Sequence, residues 1–228
     1  MKKNKPKYLT FPVAILKDSL IDVSNCVNNA MNYCLYDYYQ RETGSKDDLI
    51  DRAGKFYGIT WGNKKTAFDS GKIIYESLPA RSPKTSINKD MIFDFYKNEK
   101  TEFEIVVFLA FAAIRSILQK QPYTKITNEY LIGRMSGNSA KGEPVNPLLT
   151  KYTSRYQLDK IKSELQLNWG LNLYGNHTRG FYVSFVLTYD ELIMQAELKR
   201  KRYKEKQLRS MKSEALSRVK SKILAAAP

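Results

Sequence analysis

The sequence predicts a mainly α-helical protein of the α+β kind. It has a helical N-terminal part, a C-terminal unit of two helices and a hairpin, and a long basic C-terminal helix. Three observations carry this. Apolar residues recur at spacings of three and four through most of the chain, the mark of helices with one buried face. Only two late segments, around residues 169–173 and 181–185, alternate apolar and polar as strands do. From Lys199 to Pro228 the chain carries 11 basic and 2 acidic residues, with no Gly or Pro before Pro228.

The elements follow in order. Residues 1–7 form a basic arm. Residues 8–16 (YLTFPVAIL) are rich in β-formers, and Pro12 limits them to an edge strand or extended segment. Leu20, Val23, Val27, Ala30, Cys34 and Tyr38 share a helix face over residues 19–42, ended at Gly44. Helical patterns follow at 46–57 and 63–78, the second closed by Pro79. The turn between them, Tyr57-Gly58-Ile59-Thr60, is a weak match to a helix-turn-helix, because Lys64 falls where that motif buries an apolar side chain. Residues 80–89 read as a Ser/Pro/Lys loop and the best internal boundary, and a short helix follows at 89–98.

Thr101 and Glu104 have capping-box spacing, in which each side chain satisfies the other's backbone N–H. They open a helix at 102–120 that is apolar on nearly every side from Ile105 to Ile114, so it must be covered on most faces. Its ten-residue apolar run is half of the roughly 20 residues a membrane span needs. Residues 137–151 read as a loop between a capped helix at 127–136 and a second at 154–166. The division expected is 1–98, a helical region with an extended N-terminal segment; 99–188, the helix–helix–hairpin unit; and 189–228, a basic helical tail.

The chain has 228 residues, of which 43% are hydrophobic, enough for a real core. Its 38 Lys and Arg against 23 Asp and Glu give a net charge of +15. An excess of this size favours a polyanionic partner. The two cysteines, Cys26 and Cys34, lie eight residues apart on one predicted helix, about 12 Å at 1.5 Å per residue. A disulfide needs Cα atoms within about 7 Å. They are expected as free thiols in a reducing cytoplasm. The basic start is not followed by the apolar stretch and cleavage site of a secretory signal. With a single histidine, His177, and no zinc spacing, phosphate loop or dinucleotide fingerprint, neither a metal nor a cofactor is expected.

The helix at 154–166 can be capped by Ser154, with Gln157 three residues on. Leu158, Ile161 and Leu165 share its core face. The opposite face carries Tyr156, Lys160 and Ser163, with Asp159 beside them and Arg155 and Gln157 at the first turn. Arg or Lys can read guanine, Gln can pair with adenine, and Ser takes either role. Trp169, Leu171 and Leu173 then alternate opposite Phe181, Val183 and Phe185, giving a two-stranded ribbon with one buried face. Its tip, GNHTRG, is bracketed by Gly175 and Gly180 and projects His177, Thr178 and Arg179. An arginine there can enter a minor groove or hold a phosphate.

On these residues the stretch 101–187 resembles the winged helix-turn-helix superfamily. The resemblance implies that residues 154–166 are the recognition helix and 175–180 the wing. Basic proteins of this size and pattern resemble regulators and replication initiators of plasmids, phages and transposable elements. The expected function is therefore non-catalytic binding of double-stranded DNA in the cytoplasm. Arg155, Tyr156, Gln157, Lys160, Ser163, His177, Thr178 and Arg179 would make contact, and Lys199, Arg200, Lys201 and Arg202 would add affinity without specificity.

Leu208, Met211, Ala215, Val219 and Ile223 form a thin stripe on the tail through which a homodimer could pair. The stripe lacks Trp and Phe, which disfavours a membrane surface. The N-terminal helical region could hold a protein partner. Two other classes remain open. One is a protein- or RNA-interaction component, whose binding would ignore Arg179 and Lys160. The other is a metal-dependent nucleic-acid enzyme using Asp47, Asp48 and Asp51, although such spacing is common on any exposed helix.

Overall fold

The computed structural model describes residues 7–140, 142–175 and 180–225, with side chains as far as residue 218. The protein is mainly helical, with two small antiparallel sheets. Strand β1 (Tyr8–Pro12) runs into a 3-10 turn (Val13–Leu16), then α1 (Val23–Arg41), α2 (Lys46–Tyr57) and α3 (Lys64–Ser77). Helix α1 starts later than its apolar spacing suggests. Asp22 takes the N-cap, its carboxylate accepting from the Asn25 amide at 2.8 Å. Helix α2 stops where Gly58 adopts φ 67°, a left-handed conformation that costs glycine little.

Residues 80–89 are not simply a loop. Lys84–Asn88 form β2, which pairs antiparallel with β1 in the register Leu9↔Ile87 and Phe11↔Thr85. Thr85 and Ile87 are buried while Lys84 is exposed. With one apolar residue in five, the alternation was hidden by polar composition. The boundary expected there instead ties residues 8–12 to the middle of the chain.

Helices α4 (Lys89–Lys97) and α5 (Glu102–Leu118) follow. The Thr101–Glu104 capping box is formed: the Thr101 amide donates to Glu104 Oε2 at 2.8 Å, and the Glu104 amide to Thr101 Oγ1 at 3.3 Å. Along α5, Val106, Phe108, Leu109 and Ile114 are fully buried, each side chain contributing roughly 1.5–3 kcal/mol through removal from water. The hydrophobic core is continuous from Leu9 to Val183 and takes in residues from α1 through β5.

Beyond α5 come β3 (Thr124–Ile126), α6 (Asn128–Met135), a 3-10 segment (Pro147–Tyr152), α7 (Arg155–Asn168), β4 (Asn172–Tyr174), β5 (Phe181–Ser184) and α8 (Tyr189–Ala225). The long connection after α6 is pinned at Asn146. Its side-chain amide donates to the Lys17 carbonyl at 2.7 Å, and its backbone amide to Ser136 Oγ at 3.0 Å.

The hairpin differs from the two-stranded ribbon expected. β5 is the centre of a three-stranded sheet in the order β3-β5-β4, with Ile126↔Phe181 and Leu173↔Val183 paired. Three residues are too few for β3 to show a period in sequence. Trp169 is not in a strand: it caps α7, its amide donating to the Leu165 carbonyl at 3.2 Å. Phe185 falls just past β5. Nor is one face of the ribbon open, because all four residues of β5 are buried. Phe181 and Val183 face the main core, while Tyr182 packs with Leu192 and Ala196 at the start of α8. The first turns of the tail helix are thus part of the fold, while residues 201–218 are exposed throughout.

Candidate functional site

Helix α7 presents its outer face beside the hairpin. Ser154 caps it, its Oγ accepting from the Gln157 amide at 3.3 Å. Leu158, Ile161 and Leu165 are buried at 2% exposure or less, which fixes the rotation of the helix. Arg155 then stands almost fully in solvent, its Nε 3.7 Å from Asp159. Tyr156 is 75% exposed. Lys160 lies 4.9 Å over the ring of Phe103 at the start of α5.

A cavity of about 910 Å³ opens between α7, the start of α6 and the base of the hairpin. Arg155, Asp159, Ser163 and Gln166 line it from α7, Asn128 and Glu129 from α6, and Gly175 and Gly180 from the hairpin. Lys162 joins them. Its ammonium bridges to Asp159 at 2.9 Å and stands 4.6 Å from the centroid of Phe181. The cleft therefore balances Arg155 and Lys162 against Asp159 and Glu129. It is polar and rich in hydrogen-bonding groups rather than strongly basic.

No family model matches this chain, and no curated protein or solved structure is significantly similar to it.

The residues singled out in the sequence divide into groups. Arg155 and Ser163 meet at the cleft. Tyr156 and Lys160 lie on α7 outside it, and Lys160 reaches Phe103 at the start of α5. Gln157 is half-buried in the first turn. His177, Thr178 and Arg179 lie outside the described residues. On α8, Lys199 stands 5.7 Å over Tyr123, and Arg200 bridges to Glu197 at 2.6 Å. Lys201 and Arg202 are exposed. The four tail cations are therefore not equivalent: Lys199 and Arg200 have partners close to the hairpin end of α8, while Lys201 and Arg202 face solvent.

Glu197 is held at this junction from two sides. The Tyr174 hydroxyl donates to it at 2.8 Å. This bond, with Arg200 second, holds its carboxyl below the usual glutamate range. On the sheet, burial pushes the Tyr182 phenol up.

Sequence reading missed Gln166, one turn beyond Ser163 on the same face, where the i, i+3 spacing was already available. It also missed Asn128 and Glu129, which reach the cleft only through the packing of α6. The acidic trio does not gather around a common point. Asp51 bridges to Lys64 at 2.5 Å and Asp48 to Arg52 at 3.7 Å. Among the described residues no group of three His, Cys, Asp or Glu is placed to hold a metal ion. No helix among them is long and apolar enough to cross a membrane.

Proposed function

We propose that the chain binds double-stranded DNA in the cytoplasm without catalysing a reaction, as a transcriptional regulator or replication initiator of a mobile element. In this reading α5, β3, α6, α7, β4 and β5 act as a winged helix-turn-helix, and α7 is the recognition helix. The observation that carries it is the exposed outer face of α7, rotated into place by Leu158, Ile161 and Leu165, with a polar cleft between it and a hairpin. Arg155, Ser163 and Gln166 read base edges. Arg179 and His177 of the hairpin tip contact the neighbouring groove or backbone.

The second support is electrostatic. The cleft is charge-balanced, so affinity comes from elsewhere, and residues 199–228 carry a net +9. Lys201, Arg202 and the later basic residues of α8 lie along phosphates, while the docked start of α8 fixes the direction in which they leave the sheet.

The test is a fluorescence-anisotropy titration with random duplex DNA at several salt concentrations. It compares wild type, Arg179→Ala and a chain truncated after Glu197. Truncation there keeps Leu192 and Ala196, the residues that dock α8. A steep salt slope that becomes shallower on truncation supports the proposal, each lost phosphate contact removing about one unit. No binding, or binding indifferent to both changes, refutes it.

A further inference from the structure

Arg134 near the end of α6 is 5% exposed. Its Nη2 donates to the Tyr130 hydroxyl at 2.8 Å. Its Nε and Nη1 are buried with no hydrogen-bond partner among the described residues. A buried guanidinium with two such nitrogens is costly, and buried charges are ordinarily paired.

Arg134 lines a cavity of about 740 Å³ between the end of α5, the segment entering β2 and α6. Four more cations line the same cavity: Arg81, Lys84, Arg115 and Lys120. No carboxylate does. Only Lys84 among the five is ion-paired within the described residues, to Asp37 at 3.2 Å. Arg115 is 5.8 Å from the ring centroid of Phe185, which fixes its position without neutralising it. Arg134 also borders a smaller cavity that holds Glu129 and Glu143, but its Nε and Nη1 bond to neither. Glu143 Oε1 accepts from the Ala140 amide at 2.6 Å.

Arg81, Arg115, Lys120 and Arg134 thus line a concave, carboxylate-free space without an ion pair among the described residues, and their mutual repulsion is relieved when an anion joins them. The volume lies within the usual range for small-ligand sites, about 300–1,000 Å³. Three of the cations are arginines, whose forked donors match phosphate oxygens. Gln119 and Gln121 on the same wall supply neutral donors.

We propose that this cavity binds a phosphate group, presented by a small phosphorylated ligand, with Arg134 as its innermost contact and Arg81, Arg115 and Lys120 around it. A phosphate of the DNA backbone has the same chemistry. The depth of Arg134 favours the free ligand, because a terminal phosphate can enter a recess that a continuous backbone passes over. The site is separate from the α7 cleft and does not depend on α7 meeting DNA.

The experiment is calorimetric titration of the full chain with inorganic pyrophosphate at fixed ionic strength. Wild type is compared with Arg81→Gln/Lys120→Gln, whose side chains are exposed in the native chain, and with Arg134→Met. Saturable binding is expected, weakened roughly tenfold or more in each variant. Circular dichroism and thermal melting establish that each variant is folded. A repeat with saturating duplex identifies the source. Pyrophosphate binding left intact points to a free phosphorylated ligand, and competition points to the DNA backbone. No saturable binding to wild type, or equal binding by the folded double variant, overturns the proposal.

Discussion

The hydroxyl of Tyr174 donates a 2.8 Å hydrogen bond to Glu197, joining the outer strand of the hairpin to the basic helix that follows it. Arg200 bridges to the same carboxylate. The hairpin and the start of the tail therefore form one assembly, with Leu192 and Ala196 fully buried beneath the junction. Because Glu197 has a lowered folded-state pKa, its contribution is present above the ordinary glutamate range and is lost as pH falls through the folded value. The thermal midpoints of wild type and Glu197→Gln should differ at neutral pH and converge in acid. A difference that grows in acid contradicts this linkage.

Removing the packing under that junction should cost more than removing the bond. Leu192→Ala leaves a cavity against Tyr182 and should destabilise the chain by about 2–5 kcal/mol, read from urea unfolding.

Gly180 sits where the hairpin returns to the sheet, at φ 91°, and a Cβ there would stand 2.3 Å from the Ile126 carbonyl oxygen. Gly180→Ala must strain the backbone or push β3 from β5. A loss of roughly 1–3 kcal/mol is expected from the conformation alone, with more from the collision. Chemical denaturation would show it as a lower midpoint.

Gln119 is the one non-glycine residue with positive φ among the described residues, at φ 49°. It ends α5 at the rim of the cationic cavity. Gln119→Gly should stabilise the chain by about 1 kcal/mol through relief of that strain, visible as a raised melting temperature. An unchanged or lower value would mean that contacts of the side chain outweigh the strain.

Cys26 and Cys34 are both free and buried. Burial is the main cause that pushes both thiols up, and Cys34 also donates to the Thr10 carbonyl at 3.4 Å. Neither thiol should react with a disulfide reagent on mixing with native protein, and both should react once it is unfolded. Rapid labelling of the native chain would contradict the packing of α1.

What was legible in the sequence was local. Thr101 and Glu104 announce α5 because a capping box needs only four consecutive residues. Leu158, Ile161 and Leu165 give the rotation of α7 because a helix face repeats within a few turns. The misses are tertiary. β2 has one strongly apolar residue, Ile87, and becomes a strand only because β1 lies beside it. β3 is three residues long and exists through pairing with β5. Tyr182 reads as an outward residue of a ribbon until Leu192 and Ala196 cover it. The cationic cavity gathers Arg81, Arg115 and Arg134 from separate parts of the chain, so no spacing announces it. The cleft was half legible: Arg155 and Ser163 were found, while Asn128 and Glu129 required the placement of α6.

The most direct test of the central claim is photocrosslinking to duplex DNA from a photoreactive amino acid placed at Tyr156, with the same group at Ile73 as the comparison. Both positions are solvent-exposed, at 75% and 69%, so reactivity depends on what each face meets. The account predicts a crosslink from α7 at Tyr156 and none from α3 at Ile73. A crosslink from Ile73 alone, or from neither position, would contradict the claim that α7 is the face this protein turns toward DNA.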